Sequence, residues 1–327
     1  MFKRTPLYQD DAEESGYVIE SVAWSPDGSL LAVGSGRAIC SSDFNDPRFA
    51  IQALNGGTEP LERTIIGPRC SAKALAWSPN GSILISGGYN GIIWFWDVAN
   101  GERLYTETVS LQGPSLLIWS PDTSKVFGTA TDSIFVFDTE TQILSFNFPE
   151  HKTERITSLT LSPDGSMLAS GNTVGIIYIM DTITRQNIIS FEPQPSIITA
   201  LAWRPDGGTI ASGSSNGMVT VWDAETGAAT LLLHGHTENI NRIVWNPNGL
   251  QLASASDDGT VRVWNITTGE QDEIFQYPGR VPALDWSPDS SRLAYSGVRG
   301  DFRETQVEIV EVSPLLSGVF PTVTSTR

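Results

Sequence analysis

One short phrase recurs along the whole chain. Trp-Ser-Pro-Asp-Gly and its close variants begin at Trp24, Trp77, Trp119, Leu161, Trp203, Trp245 and Trp286, at intervals of 53, 42, 42, 42, 42 and 41 residues. A period of this kind constrains the fold strongly, because a short repeated unit cannot bury its apolar faces alone and must stack on copies of itself. A second mark follows most anchors: Phe95-Trp96-Asp97, Val136-Phe137-Asp138, Ile179-Met180-Asp181, Val221-Trp222-Asp223 and Val263-Trp264-Asn265.

Residues 245 to 265 show what one unit encodes. In Asn-Pro-Asn-Gly at 246–249, proline presets φ and glycine accepts a positive φ, so the strand ending at Trp245 reverses into Leu252-Ala253-Ser254-Ala255-Ser256. Asp257-Asp258-Gly259 is a second hairpin signal and leads into the β-branched run Thr260-Val261-Arg262-Val263-Trp264. Thr267-Thr268-Gly269 then turns into a weaker strand around Glu273-Ile274-Phe275. Four short antiparallel strands per unit of this length is the spacing of a β-propeller blade.

Gly235-His236, the run from Leu252 to Asn265, and Trp-Asp at 96–97 and 222–223 are together similar to the WD40-repeat family, over nearly all of residues 17–312. The resemblance implies an all-β, seven-bladed propeller of four-stranded antiparallel blades, a single domain over residues 1–312, with 313–327 a tail or closing strand. It also implies a buried hydrogen-bond tetrad, which maps fully onto one unit as His236, Ser254, Asp258 and Trp264. Fragments remain as Ser86, Asn90 and Trp96, and as Ser212, Asn216 and Trp222, so those blades are expected to rest more on apolar packing. Either the segment 2–9 or the segment 315–320 supplies the last outer strand; the N-terminal choice is preferred, since Pro314 and Pro321 flank the other.

Aligned on the anchor, the position two residues earlier reads Val22, Leu75, Leu117, Leu159, Leu201, Ile243 and Leu284, an unbroken aliphatic ring assigned to the core. Four residues earlier stand Glu20, Lys73, Ser115, Thr157, Thr199, Asn241 and Pro282, and six earlier Val18, Ser71, Gly113, Arg155, Ile197, Asn239 and Arg280. Chemistry varies freely there. In the family resembled, these strand openings lie around the channel mouth, on the face built by the loops entering each innermost strand and those joining the second and third strands. Trp94, Phe135 and Tyr178 form an aromatic column in the third strands, assigned to packing between blades rather than to a binding stripe.

Breaks in the period concentrate on that same face. The excess in the first interval is placed near Arg37–Arg48, and about five extra residues in the last unit are placed in the loop 298–304. Ring closure makes these units neighbours, so the two insertions and the acidic stretch 10–14 are expected to form one charged rim. That rim either pairs its own charges or recognises a partner. Cys40 and Cys70 fall near it and are read as unpaired thiols.

The net charge of −17 opposes general nucleic-acid binding, and no apolar stretch is long enough to span a bilayer. With two cysteines and three histidines there is no zinc-spaced cluster and no disulfide framework. No nucleophile elbow, phosphate loop or dinucleotide fingerprint is present, and Glu20 with Asp285 alone make a poor metal site. The sequence is therefore read as a non-catalytic, cytoplasmic, monomeric scaffold for a protein or peptide, with no cofactor, no metal, no nucleic acid and no membrane. The expected docking face comprises Glu20, Arg37, Arg48, Lys73, Tyr89, Arg155, Asn239, Asn241, Asp257, Arg280, Arg299, Asp301 and Arg303. The alternative is a small-molecule or metal-dependent activity at the channel mouth, using Glu20, Lys73, Asp285 and the rim arginines.

Overall fold

The computed structural model describes residues 5–9, 18–36, 50–55, 59–66, 72–88, 91–109, 116–130, 133–146, 148, 154–299 and 304–313. Side chains are described except in 5–9, 35–36, 50–55, 59–66 and 304. Among these residues the strands pair into seven four-stranded antiparallel sheets, giving an all-β propeller of four-stranded blades. Blades are numbered 1 to 7 by their anchors. Their innermost strands are Val18–Trp24, Ala74–Trp77, Leu117–Trp119, Ile156–Leu161, Ile198–Trp203, Ile240–Trp245 and Gly279–Trp286.

The recurring phrase is a hydrogen-bonded turn. In blade 1, Ser25 Oγ donates to Asp27 Oδ1 at 2.6 Å and accepts from the Leu30 amide at 2.9 Å, while the Ser29 amide donates to the same Asp27 oxygen. The arrangement recurs at Ser78/Asn80/Ser82, Ser120/Asp122/Ser124, Ser162/Asp164/Ser166 and Ser287/Asp289/Ser291. These bonds favour the ionised carboxylate: Asp122 is held down at about 2, chiefly by the Ser120 hydroxyl. The residue after the aspartate takes a positive φ, 69° at Gly28 and 73° at Gly165, which explains the glycine in the phrase. Thr123 and Ser290 adopt the same conformation at 63° and 64° without that freedom.

Apolar packing is organised by seam rather than by blade. Each buried cluster spans two neighbours: Val22, Trp24 and Leu31 with Ala283, Val307 and Ile309 across blades 1 and 7; Phe95 and Ile93 with Trp119 and Phe137 across blades 2 and 3; Val261 and Phe275 with Trp286 and Tyr295 across blades 6 and 7. Four further clusters fill the remaining seams. The aliphatic column is buried except Leu75, which is half-buried against the seam between blades 1 and 2. Anchor tryptophans also tie neighbours polarly. Trp77, Trp119 and Trp245 each donate an indole N–H to the backbone carbonyl preceding the previous anchor, at Ala23, Ala76 and Ala202, with distances of 2.9, 3.2 and 3.0 Å.

The N-terminal strand Thr5–Gln9 pairs antiparallel with Glu304–Glu311 and takes the outer position of blade 7. Chain start and chain end are thereby joined in one sheet. In that blade the expected long loop is corrected by the structure: Arg292–Arg299 and Glu304–Glu311 are eight residues each, and Arg299 pairs with Glu304. Val298, Arg299 and Glu304 are thus strand residues, because the extra length extends the hairpin ladder rather than the loop. Residues 300–303, including Asp301 and Arg303, lie outside the described residues.

Candidate functional site

The face on which the innermost strands open is stitched together by backbone bonds. Amides in the turns between second and third strands donate to the residue that opens the innermost strand: Thr173 to Arg155, Ser215 to Ile197 and Asp257 to Asn239, at 3.1, 3.0 and 2.9 Å. In return, Val109, Gln194 and Tyr277, at or beyond the ends of the outer strands, donate to the turn glycines Gly91, Gly175 and Gly259. At Gly259 φ is +79°, and a Cβ there would stand 2.6 Å from the Tyr277 carbonyl oxygen. Gly259→Ala is therefore expected to destabilise the fold by about 2 kcal/mol, through left-handed strain plus a backbone clash. A urea midpoint equal to wild type would refute this account of the turn.

The freely varying column four residues before the anchor has a structural cause. Pairing shifts register between Ile19 and Ser21, Ile156 and Ser158, Ile198 and Ala200, and Ile240 and Arg242, which makes Glu20, Thr157, Thr199 and Asn241 the extra residues of β-bulges. A bulge re-aims its side chain out of the alternation. Here several point into the next blade: Thr157 donates to the Ile198 carbonyl, Thr199 to the Ile240 carbonyl at 2.5 Å, and Asn241 to the Val281 carbonyl at 3.0 Å. Ser21 to Ala72 and Ser296 to Ile19 continue the pattern at 2.7 and 3.1 Å. Asn241 is therefore corrected from a solvated strand opening to an inter-blade strut, bonded as well to Asp257 at 2.7 Å and accepting from Asn239 at 2.8 Å. Asn239, Asn241 and Asp257 form one network on blade 6.

Charged side chains of several blades act on one another. Lys73 of blade 2 senses the charges of Glu20 in blade 1, Arg242 in blade 6 and Arg155 in blade 4; Arg242 senses Glu20 and Asp285. Glu20 of blade 1 is the leading charge acting on both Lys73 and Arg242, and it favours the cationic form of each. Arg242 and Asp285 are half-buried. Burial accordingly dominates, lowering the pKa of Lys73 and Arg242 and pushing Asp285 up to about 7. Asp285 accepts the Trp24 amide of blade 1 at 2.7 Å and the Trp286 amide at 3.0 Å, closing the seam between last and first blades.

Because ionising Asp285 is harder in the folded than the unfolded chain, its contribution to stability declines as pH rises from about 4 to about 7. Asp285→Asn is expected to remove that decline. Urea midpoints at pH 5 and pH 8 check this: wild type should lose ground to the variant at the higher pH, and parallel behaviour would rule it out.

The family description WD domain, G-beta repeat matches residues 5–41, 60–97, 142–175, 185–223 and 228–265, together more than half of the chain. The chain belongs to the WD40 family. It is similar to the small ribosomal subunit protein RACK1z of Oryza sativa subsp. japonica, at 39% identity over 115 residues covering 32% of this chain and 33% of that protein. It is also similar to the small ribosomal subunit protein RACK1 of Medicago sativa, at 32% identity over 139 residues covering 36% and 42%. The chain thus matches less than half the length of these relatives.

The WD40 tetrad is complete in blade 6. Trp264 donates its indole N–H to Ser254 Oγ at 2.8 Å, Ser254 donates to His236 Nε2 at 2.8 Å, and His236 Nδ1 donates to Asp258 Oδ2 at 2.8 Å; this chain fixes the tautomer. Burial lowers the His236 pKa, with Asp258 opposing, so the ring is neutral as the network requires. Among the described residues, blades 2 and 5 show the indole bond of the network, Trp96 to Ser86 at 2.9 Å and Trp222 to Ser212 at 2.8 Å. In blade 2, Trp94 stacks on Trp96 with centroids 5.5 Å apart, and Phe135 is fully buried. Tyr178 is half-buried against the seam between blades 3 and 4, so this column packs blades together.

The remaining expected site residues divide by position. Arg155 and Arg299 are exposed, Arg280 is half-buried opposite Val298, and Glu20 and Lys73 are half-buried at their strand openings. Arg37, Arg48, Tyr89, Asp301, Arg303, Cys40, Cys70 and the acidic stretch 10–14 lie outside the described residues. Arg242 was not singled out by sequence. Its column, three before the anchor, reads Ser21, Ala74, Leu116, Ser158, Ala200, Arg242 and Ala283, and the lone cation was its signal. Among the described residues no group of three or more His, Cys, Asp or Glu is placed to hold a metal, and no helix is long and apolar enough to cross a membrane.

Proposed function

We propose that this WD40 chain is a non-catalytic protein-interaction scaffold, a seven-bladed ring that docks a protein or peptide on its strand-opening face near blades 1 and 7. The observation that carries the reading is the contrast between an invariant frame and a variable rim. Turn networks, anchor tryptophans and seam clusters recur around the blades, whereas the side chains at the strand openings range over acidic, basic, polar and apolar types. A rigid frame with diverse loops is what recognition of a large surface requires. The relatives are named as small ribosomal subunit proteins, which supports a partner within a larger assembly. A net charge of −17 favours contact through protein rather than through a phosphate backbone.

The test is an affinity capture with three forms of the chain. One is intact, one has 37–48 and 300–303 each replaced by an Asp-Gly turn, and one carries Asn80→Lys and Asp164→Lys on the opposite face. A partner held by the intact and opposite-face forms and lost by the loop form is expected. Retention by the loop form, or loss only from the opposite-face form, would overturn the docking face.

A further inference from the structure

We propose that the outer edge of blade 4, flanked by those of blades 3 and 5, is a second docking surface, where an extended, uncharged segment of a different protein adds as a fifth strand. An outer strand leaves alternate backbone donors and acceptors unpaired, and sheets ordinarily blunt such an edge with charge or proline. Those devices are unevenly distributed around this ring. The outer strands Glu59–Ile66, Arg103–Thr108 and Gln271–Gln276 each carry at least two charged residues, and Thr5–Gln9 carries Pro6. Leu144–Ser145, Asn187–Ser190 and Ala229–Leu233 carry neither, and they belong to three consecutive blades.

Apolar exposure follows the same arc. Among the described residues, Ile143, Phe146, Ile183, Ile188 and Leu232 are exposed on these three strands or beside them, against Leu104 and Ile274 on the charged edges. The three edges are also joined. Arg185, in the turn before the outer strand of blade 4, donates from Nη2 to Ser145 Oγ of blade 3 at 3.2 Å, and holds a φ of 61° where blades 2, 5 and 6 have Gly101, Gly227 and Gly269. The corresponding turn of blade 5 packs on blade 4, since a Cβ on Gly227 would stand 2.8 Å from the Phe191 ring.

Backbone geometry names the occupant. The Phe191 amide donates to the Ile177 carbonyl at 2.9 Å, and Ser190 stands opposite Tyr178. Antiparallel alternation therefore turns the Ser190 N–H and C=O outward, away from the blade. Such groups beside the exposed Ile188 are what an incoming strand with apolar side chains pairs with. The three strands offer it no charge to match, so the segment is uncharged. A second copy of the chain would bring together two bodies of net charge −17, which favours a different protein. This edge is separate from the strand-opening face and its test is independent of that docking.

Fluorescence anisotropy of a labelled, uncharged peptide of alternating threonine and valine, titrated with the full chain, tests the edge. Wild type should show saturable binding, weakened at least tenfold by Ser190→Pro, which removes the outward amide, and by Ile188→Lys, which charges the edge. Both positions are exposed, so neither variant disturbs the core. Ile274→Lys, at the matching place on the edge of blade 6, should bind within twofold of wild type. Methylating alternate backbone nitrogens of the peptide should abolish binding. No saturable binding by wild type, or equal binding by the blade 4 variants, would overturn the proposal. Sedimentation equilibrium showing a wild-type dimer that Ile188→Lys dissociates would assign the edge to a second copy and overturn it as well.

Discussion

Removing residues 1–9 is expected to cost about 3–5 kcal/mol and to make the protein associate. Four pairs join Thr5–Gln9 to Glu304–Glu311, from Thr5 opposite Ile309 to Gln9 opposite Gln306. Net contributions near 1 kcal/mol per backbone hydrogen bond give an effect of that order. Loss of the strand also bares an edge whose residues Val307 and Ile309 belong to the seam between blades 7 and 1. An unprotected edge is a template for pairing with another chain. Guanidinium denaturation should show a lower midpoint, and size-exclusion chromatography a concentration-dependent shift. Removal of 314–327 should leave both unchanged, because the outer position of blade 7 is already filled. A truncated chain with wild-type midpoint and elution would contradict this mode of closure.

Ser254→Ala in blade 6 is expected to cost about 2–4 kcal/mol. Ser254 accepts from Trp264 and donates to His236, so its loss orphans a buried donor and a buried acceptor together. Ser212→Ala in blade 5 orphans only the Trp222 indole and should cost about half as much. The network also titrates. His236 has a pKa below its ordinary 6.5, so the folded chain holds that proton less tightly than the unfolded chain. Its contribution is complete above pH 6.5 and is lost as pH falls through that value toward the lower folded pKa. Ser254→Ala and wild type, unfolded in urea at pH 7.5 and 5.5, give the comparison. Equal midpoints for Ser254→Ala and Ser212→Ala would show that the tetrad adds nothing beyond its indole bond.

The frame was legible because it is periodic. The turn phrase, the aliphatic column and the Trp-Asp marks each carry a backbone or packing requirement repeated at fixed spacing, and His236, Ser254, Asp258 and Trp264 stand at the offsets where their bonds form. The site was legible only in part, because a column of varied residues looks the same whether it faces solvent or a neighbouring blade. Asn241 and Thr199 turned out to be struts, since a bulge points them sideways, and a bulge has no signature in hydrophobic alternation. Arg242 is hidden in the sequence for the converse reason. It occupies a column of small residues that read as packing, and the carboxylates that act on it, Glu20 and Asp285, stand far away in sequence. In blade 7 the period reports extra length but not whether that length is hydrogen-bonded, so a longer loop and a longer hairpin ladder look alike in the sequence.

Amide hydrogen exchange of the chain, alone and with its captured partner, tests the central claim most directly. The account predicts protection at 154–157, 173–176, 237–241, 257–259 and 279–281, on the strand-opening face, with the Ser-Pro-Asp-Gly turns unchanged. Protection confined to those turns or to the outer strands would contradict it.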